Sequence, residues 1–216
     1  MNIDILTLFP EICEVVINSG IIGRAVKKGI INVKCHQIRD FTTNKHKKVD
    51  DSPFGGGYGM VMMAEPIFRA FNYVCELRNT KPYLIFMSPK GKMLSQENAK
   101  EKLIHKNIAI LCGRYEAVDE RLIEEIVDEQ ISIGNYVLTG GELPAMVFLD
   151  VLLRMIPDVL PSKVCFENES HYNNLLEHPQ YTRPRVWHDK PVPEVLISGN
   201  HKEIEKWKLE NSIEIK

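Results

Sequence analysis

At 216 residues and 44% hydrophobic side chains, the chain can bury one substantial core plus a smaller second unit, and its composition excludes a largely disordered protein. A formal net charge of −2 excludes recognition of nucleic acid by overall positive potential, so any such contact must rest on local basic patches. The five cysteines (Cys13, Cys35, Cys75, Cys112, Cys165) are widely spaced and odd in number, which argues against a secreted disulfide framework and for reduced thiols in a cytoplasmic protein.

Met1-Asn2-Ile3-Asp4 shows no basic stretch leading into an apolar one, so no signal peptide is expected. Ile3–Phe9 reads as a buried strand, and Pro10-Glu11 opens a helix with Ile12, Val15, Val16 and Ser19 on one face, stopped by Gly20. Ile30–Ile38 reads as a second strand, and the basic run from Arg39 to Lys48 as a solvated connection. Four glycines and a proline within Asp50–Gly59 predict a mobile loop. Beyond it, helices over Glu65–Leu77, Gln96–Leu103 and Asp119–Val127 alternate with strands over Tyr83–Met87, Ile108–Cys112 and Ile131–Ile133. That alternation predicts an α/β fold, a mostly parallel sheet with helices on both faces.

Leu143–Ile156 is a helix apolar nearly all round, which requires cover on more than one side, by the sheet or by a second copy of the chain. Asp150 and Arg154 interrupt it, and it falls short of the roughly 20 apolar residues of a membrane span. Pro157 to Pro161 breaks the pattern, and the polar stretch Ser162–Asn174 reads as a linker. A final helix from His201 to about Glu210 is capped by Ser198-Gly199-Asn200.

Three glycine-bearing turns follow short apolar runs: Ser88-Pro89-Lys90-Gly91, Gly113-Arg114-Tyr115-Glu116 and Ser132–Gly141. Glycine lets peptide groups approach a flat ligand closely. The chain has neither G-x-G-x-x-G nor G-x-x-x-x-G-K-[ST], so neither phosphate cradle accounts for these turns and another cofactor is implied. The seven histidines form no H-E-x-x-H and no paired Cys/His set, so spacing supports no metal site.

Seven segments in order, Leu6–Pro10 (LTLFP), Asp50–Met60 (DDSPFGGGYGM), Ser88-Pro89, Gly113–Glu116 (GRYE), Ser132–Pro144 (SIGNYVLTGGELP), Tyr181–Pro184 (YTRP) and Leu196–His201 (LISGNH), together resemble the bacterial tRNA (guanine-N1)-methyltransferases of the SPOUT superfamily. The resemblance implies methyl transfer from S-adenosylmethionine to N1 of guanosine 37 beside the tRNA anticodon, by a cytoplasmic homodimer. It implies a C-terminal trefoil knot in an AdoMet-binding domain over 1–160, a linker over 161–175, and a small helical tRNA-binding domain over 176–216 that is shorter than in the family. It also implies stimulation by Mg2+, for which no ligands can be assigned.

Carried onto this chain, the resemblance places the cofactor against Phe86, Met87, Ser88, Pro89, Gly113, Tyr115, Glu116, Ser132, Ile133, Gly134, Tyr136, Leu138, Gly140, Gly141 and Pro144. Glu116 would favour a cationic donor over its neutral product. The family's catalytic aspartate falls at Glu169, whose extra methylene lengthens the reach by roughly 1.5 Å. Arg154 matches the arginine that opposes charge building on guanine O6, although an ordinary helix-surface pair with Asp150 is the alternative from spacing. On the tRNA side the matches are His46, Asp50, Gly59 and Arg183, with Lys45, Lys47 and Lys48 beside His46 as phosphate contacts. Ser52 and Tyr58 stand where the family usually has arginine and proline.

Overall fold

In the computed structural model, which describes residues 1–161, 170–171 and 175–214, the chain divides into two units, Met1–Pro161 and Ser162–Lys216. In the first, strands β1 (Asn2–Thr7), β2 (Asn32–Gln37), β5 (Tyr83–Met93), β6 (Asn107–Cys112) and β8 (Glu129–Ser132) form one sheet in the order β2-β1-β6-β5-β8. Every pairing in it is parallel. The short strands β3 (Asp50–Asp51), β4 (Val61–Met62) and β7 (Ala117–Val118) make a second, three-stranded sheet that the sequence pattern did not suggest.

Because side chains alternate across a strand, the sheet has two apolar faces. Ile3, Ile5, Ile108 and Ile110 pack on one face against helices α1 (Pro10–Ile17), α2 (Gly20–Lys27) and α6 (Glu142–Leu153) through Cys13, Ile17, Ile22, Phe148, Leu149 and Leu152. Leu6, Leu84 and Leu111 pack on the other against α3 (Ala64–Arg78) and α5 (Glu120–Ile126) through Ile67, Phe71, Val74, Leu122 and Ile126. Helix α4 (Gln96–Glu101) begins with a capping box in which Ser95 and Asn98 satisfy each other's backbone N–H groups.

Three expectations change. Gly20 does not stop α1, which ends at Ile17 with Asn18 as its C-cap; it opens α2 instead, and Gly23 lets α2 lie on the Asn18 backbone, where a Cβ would come within 2.5 Å of the carbonyl carbon. The buried face of α1 centres on Cys13 and Ile17, leaving Val15 68% exposed. Strand β5 does not end at Met87: Ser88-Pro89-Lys90-Gly91 is a bulge inside it, after which pairing with β8 resumes, Met87 and Lys92 both standing opposite Ile131.

Asp4 is fully buried on the α3 face, 2.7 Å from His36 Nε2, and accepts hydrogen bonds from Arg78 Nε (2.8 Å) and Nη2 (3.0 Å). Burial alone would raise its pKa, but the hydrogen bonds from His36 and Arg78 and their charges outweigh that and hold it below the ordinary value.

The second unit carries helices α7 (Glu194–Ile197) and α8 (His201–Glu210), the latter capped by the Asn200 side chain as its sequence predicts. With them are two antiparallel strand pairs, Leu175–Leu176 with Ile213–Glu214 and Val186–Trp187 with Lys190–Pro191.

Candidate functional site

Parallel strands deliver their C-terminal ends to one edge of a sheet, and ligands of open α/β folds collect there. Here β6, β5 and β8 are adjacent, so the turn after β6, the bulge of β5 and the loop from β8 to α6 meet. They line one open cleft. Phe86, Met87, Ser88 and Pro89 line it from β5, and Gly113, Tyr115 and Glu116 from the turn after β6. Ser132, Ile133, Gly134, Tyr136, Leu138, Gly140, Gly141 and Pro144 line it from the loop and the start of α6. All fifteen residues matched to cofactor binding thus share one cleft. Sequence reasoning missed Arg114, Val137 and Thr139, each inside a segment already singled out, and Ala117, Val118 and Ile131 at the edges of those segments, all of which also line it.

The glycines on this wall are sterically required. A Cβ at Gly141 would lie 2.7 Å from Cys112 Cα and 2.9 Å from the Gly113 nitrogen, and one at Gly113 would lie 2.9 Å from the Phe86 ring. Gly141 N–H donates to Gly113 C=O at 2.9 Å, so the two turns hold each other directly. Between them Tyr115 adopts a left-handed φ of 61°, uncommon for a residue with a Cβ and associated with functional strain. Its hydroxyl accepts from Arg39 Nη2 at 3.2 Å.

Arg114 ties four segments together. Its guanidinium lies 4.4 Å over the Phe9 ring, its Nη1 donates to Thr139 C=O at 3.3 Å, and its Nε is 2.9 Å from Glu142 Oε2. The other Glu142 oxygen accepts from the Thr7 hydroxyl at 2.7 Å. Nε and Oε2 are close enough for an ion pair but not aligned for a hydrogen bond, and neither has another partner among the described residues.

The candidates for tRNA fall partly beside this cleft. Asp50 lies in β3, and Gly59 (φ 84°) closes the glycine loop directly on the Glu116 side chain, where a Cβ would come within 2.5 Å of the carboxylate. Met60 C=O accepts from Glu116 N–H at 3.0 Å, so the loop is seated on the GRYE turn. His46 is exposed on the basic connection, whose lysines are partly matched already: Lys47 pairs with Asp40 at 3.1 Å and Lys48 with Asp51 at 3.0 Å. Arg183 is exposed in the second unit.

Of the two expected catalytic residues, Arg154 does not line the cleft of its own chain. Arg154 caps the far end of α6, ten residues beyond Pro144 and so about 15 Å along the axis, with its N–H donating to Asp150 C=O at 3.3 Å. Glu169 lies outside the described residues. Among the described residues no group of three His, Cys, Asp or Glu side chains could hold a metal ion, and no helix is long and apolar enough to cross a membrane.

Residues 1–215 match the family described as tRNA (Guanine-1)-methyltransferase TrmD. A tRNA (guanine-N(1)-)-methyltransferase of Ruminiclostridium cellulolyticum is 54% identical over 214 residues, 99% of this chain and 92% of the relative. One of Clostridioides difficile is 52% identical over 216 residues, 100% and 94% of the two chains, and one of Thermosipho melanesiensis is 52% identical over 208 residues, 96% and 83%.

Proposed function

The chain belongs to the tRNA (guanine-1)-methyltransferase family and is a tRNA (guanine-N1)-methyltransferase, and we propose that its methyl donor, S-adenosylmethionine, is held in the cleft of the three turns. The observation that carries this reading is the glycine wall. Gly113 and Gly141 stand where any Cβ would collide with backbone or ring, so the turns close on one another main chain to main chain at the cleft wall. Such a wall suits an adenine and ribose, and needs no phosphate cradle because the donor has no phosphate. When bound, the donor supplies a methyl group carried on a sulfonium cation. The Glu116 carboxylate, seated under Gly59, sets a negative charge in the wall that faces the cation, with the Arg114 guanidinium beside it as an opposing charge.

Guanine N1 carries a proton that must leave as the new C–N bond forms. Glu169 accepts it, and Arg154 balances the negative charge that grows on O6. The acceptor is guanosine 37, with His46, Asp50, Gly59 and Arg183 contacting the tRNA. The segment 161–175 is the linker and 176–216 the tRNA-binding domain. The chain is threaded as a trefoil knot at the cleft, a reading supported by the mutual hydrogen bonding of the 113–116 and 139–141 turns. It works in the cytoplasm as a homodimer. The dimer reading is supported by α6, where Leu143 (58% exposed) and Val147 (43%) form an uncovered apolar stripe in line with Arg154. An antiparallel pairing of two such helices carries each Arg154 to the cleft end of the other.

The test is transfer from labelled S-adenosylmethionine to tRNA carrying G37 and to the same tRNA with that base changed, with the nucleoside identified by mass. Transfer confined to the G37 tRNA and yielding 1-methylguanosine is expected; transfer indifferent to that base, or none, overturns the reading. Glu169→Ala is expected to lose at least about a hundredfold in turnover, and near-normal turnover removes it as the base.

A further inference from the structure

We propose that Glu142, which lies behind the cleft wall, is the residue that makes the site select a cation. The inference rests on the donor reading above and deepens it. Among the described residues lining the cleft only Arg114 and Glu116 carry charge, and their charges cancel. Taken by itself, the lining therefore gives a sulfonium no advantage over the neutral thioether left after transfer. The balance is tipped by Glu142, 1% exposed and placed with Oε2 2.9 Å from Arg114 Nε. Arg114, 18% exposed, is the side of the pair that faces the cleft.

The geometry separates this role from simple scaffolding. A clamp would present an aligned hydrogen bond, whereas Nε and Oε2 approach closely without one and have no other partner among the described residues. What remains between them is charge against charge in a buried setting, where it is felt most. Glu142 is held in place from the other side by the Thr7 hydroxyl at 2.7 Å, and it lies in the first turn of α6, where a negative charge is favoured. With Glu142 the site totals one negative charge; without it, none. Thr7 and Glu142 are positioning residues acting through Arg114.

The experiment is calorimetric titration of S-adenosylmethionine and S-adenosylhomocysteine into wild type, Glu142→Gln and the double variant Arg114→Gln/Glu142→Gln. The replacements nearly conserve volume in Glu142→Gln and remove one or both charges. A unit charge acting over this range changes the affinity for a cation by about five- to thirtyfold. Glu142→Gln is expected to lose that factor for S-adenosylmethionine while S-adenosylhomocysteine binds within about twofold of wild type. The double variant, again carrying one net negative charge from Glu116, is expected to recover the wild-type ratio. Equal loss of both ligands in Glu142→Gln makes the residue purely structural and overturns the inference. If that variant does not fold, the double variant decides alone: an unchanged ratio supports the proposal and a shifted one overturns it. Wild type binding neither ligand overturns the donor reading, and this one with it.

Discussion

Adding one methyl group at Gly141 puts the cleft's construction to a direct test. The new Cβ in Gly141→Ala would meet Cys112 Cα at 2.7 Å and the Gly113 nitrogen at 2.9 Å, against ordinary contacts of 3.4 Å or more. Both opposing atoms are main chain of β6 and its turn, so no side chain can swing aside. The turns must part by roughly 0.5–1 Å, which stretches the 2.9 Å hydrogen bond from Gly141 to Gly113 C=O. Overpacking of this size costs about 1–3 kcal/mol. In a 216-residue chain that lowers the melting temperature by about 2–12 °C. Because the displaced peptide groups are the ones assigned to the donor, affinity should fall more steeply, by about ten- to a thousandfold. Differential scanning calorimetry and titration with S-adenosylmethionine read the two effects separately. A variant that binds the donor within threefold of wild type would show that these glycines do not form the wall of the donor site.

Other perturbations follow from the same structure. Asp4→Asn leaves the buried Arg78 guanidinium without its counter-ion, which costs about 3–5 kcal/mol and lowers the melting temperature by roughly 6–20 °C in a chain of this length. Since the folded-state pKa of Asp4 is depressed, its contribution is fully present above the unfolded value of about 3.9 and is lost as pH falls through the folded value. Melting curves of wild type and Asp4→Asn should therefore stay apart at pH 7, begin to approach as pH falls below about 4, and meet only below the folded value. Arg154→Lys replaces a planar fork by a point charge, so turnover should fall by about ten- to a hundredfold while donor affinity, read by calorimetry, stays within threefold; equal loss in both would assign Arg154 to structure.

The layered fold was readable because its signals are local. Apolar runs such as Ile108–Cys112 and the amphipathic Glu65–Leu77 depend only on neighbours in sequence, and both lie inside the strand and helix observed. What escaped depends on long-range pairing. Strands of two residues, β3, β4 and β7, carry no periodicity at all, and the continuation of β5 past Pro89 is set by Ile131 and Ser132 across the sheet. Helix α2 was hidden by Gly20, a helix stop in sequence terms, because the contact that makes Gly23 necessary is visible only in three dimensions. The cleft was readable as a set of residues from the motif resemblance, whereas the Arg114–Glu142–Thr7 relay was not, since its members lie up to 135 positions apart. Arg154 presents the opposite case: motif matching selects it, and the single chain leaves it at the wrong end of α6.

That distance makes the proposed dimer testable by chemistry as well as by mass. Leu143 and Val147 remain 58% and 43% exposed, and twofold pairing buries four such half-exposed side chains, a gain of roughly 3–6 kcal/mol. Val147→Asp removes part of this and desolvates two carboxylates, so sedimentation velocity should show dimerisation at least about a hundredfold weaker than wild type. The stronger test mixes two inactive variants, Arg154→Ala and Gly141→Ala, after subunit exchange. If each site takes its donor cleft from one chain and Arg154 from the other, half of the dimers are mixed and each mixed dimer holds one intact site, so about a quarter of wild-type activity returns. If cleft and arginine serve the same chain, every site keeps one defect and the mixture stays inactive. Recovery near a quarter therefore demands sites built across two subunits, and its absence would return Arg154 to a capping role in its own helix.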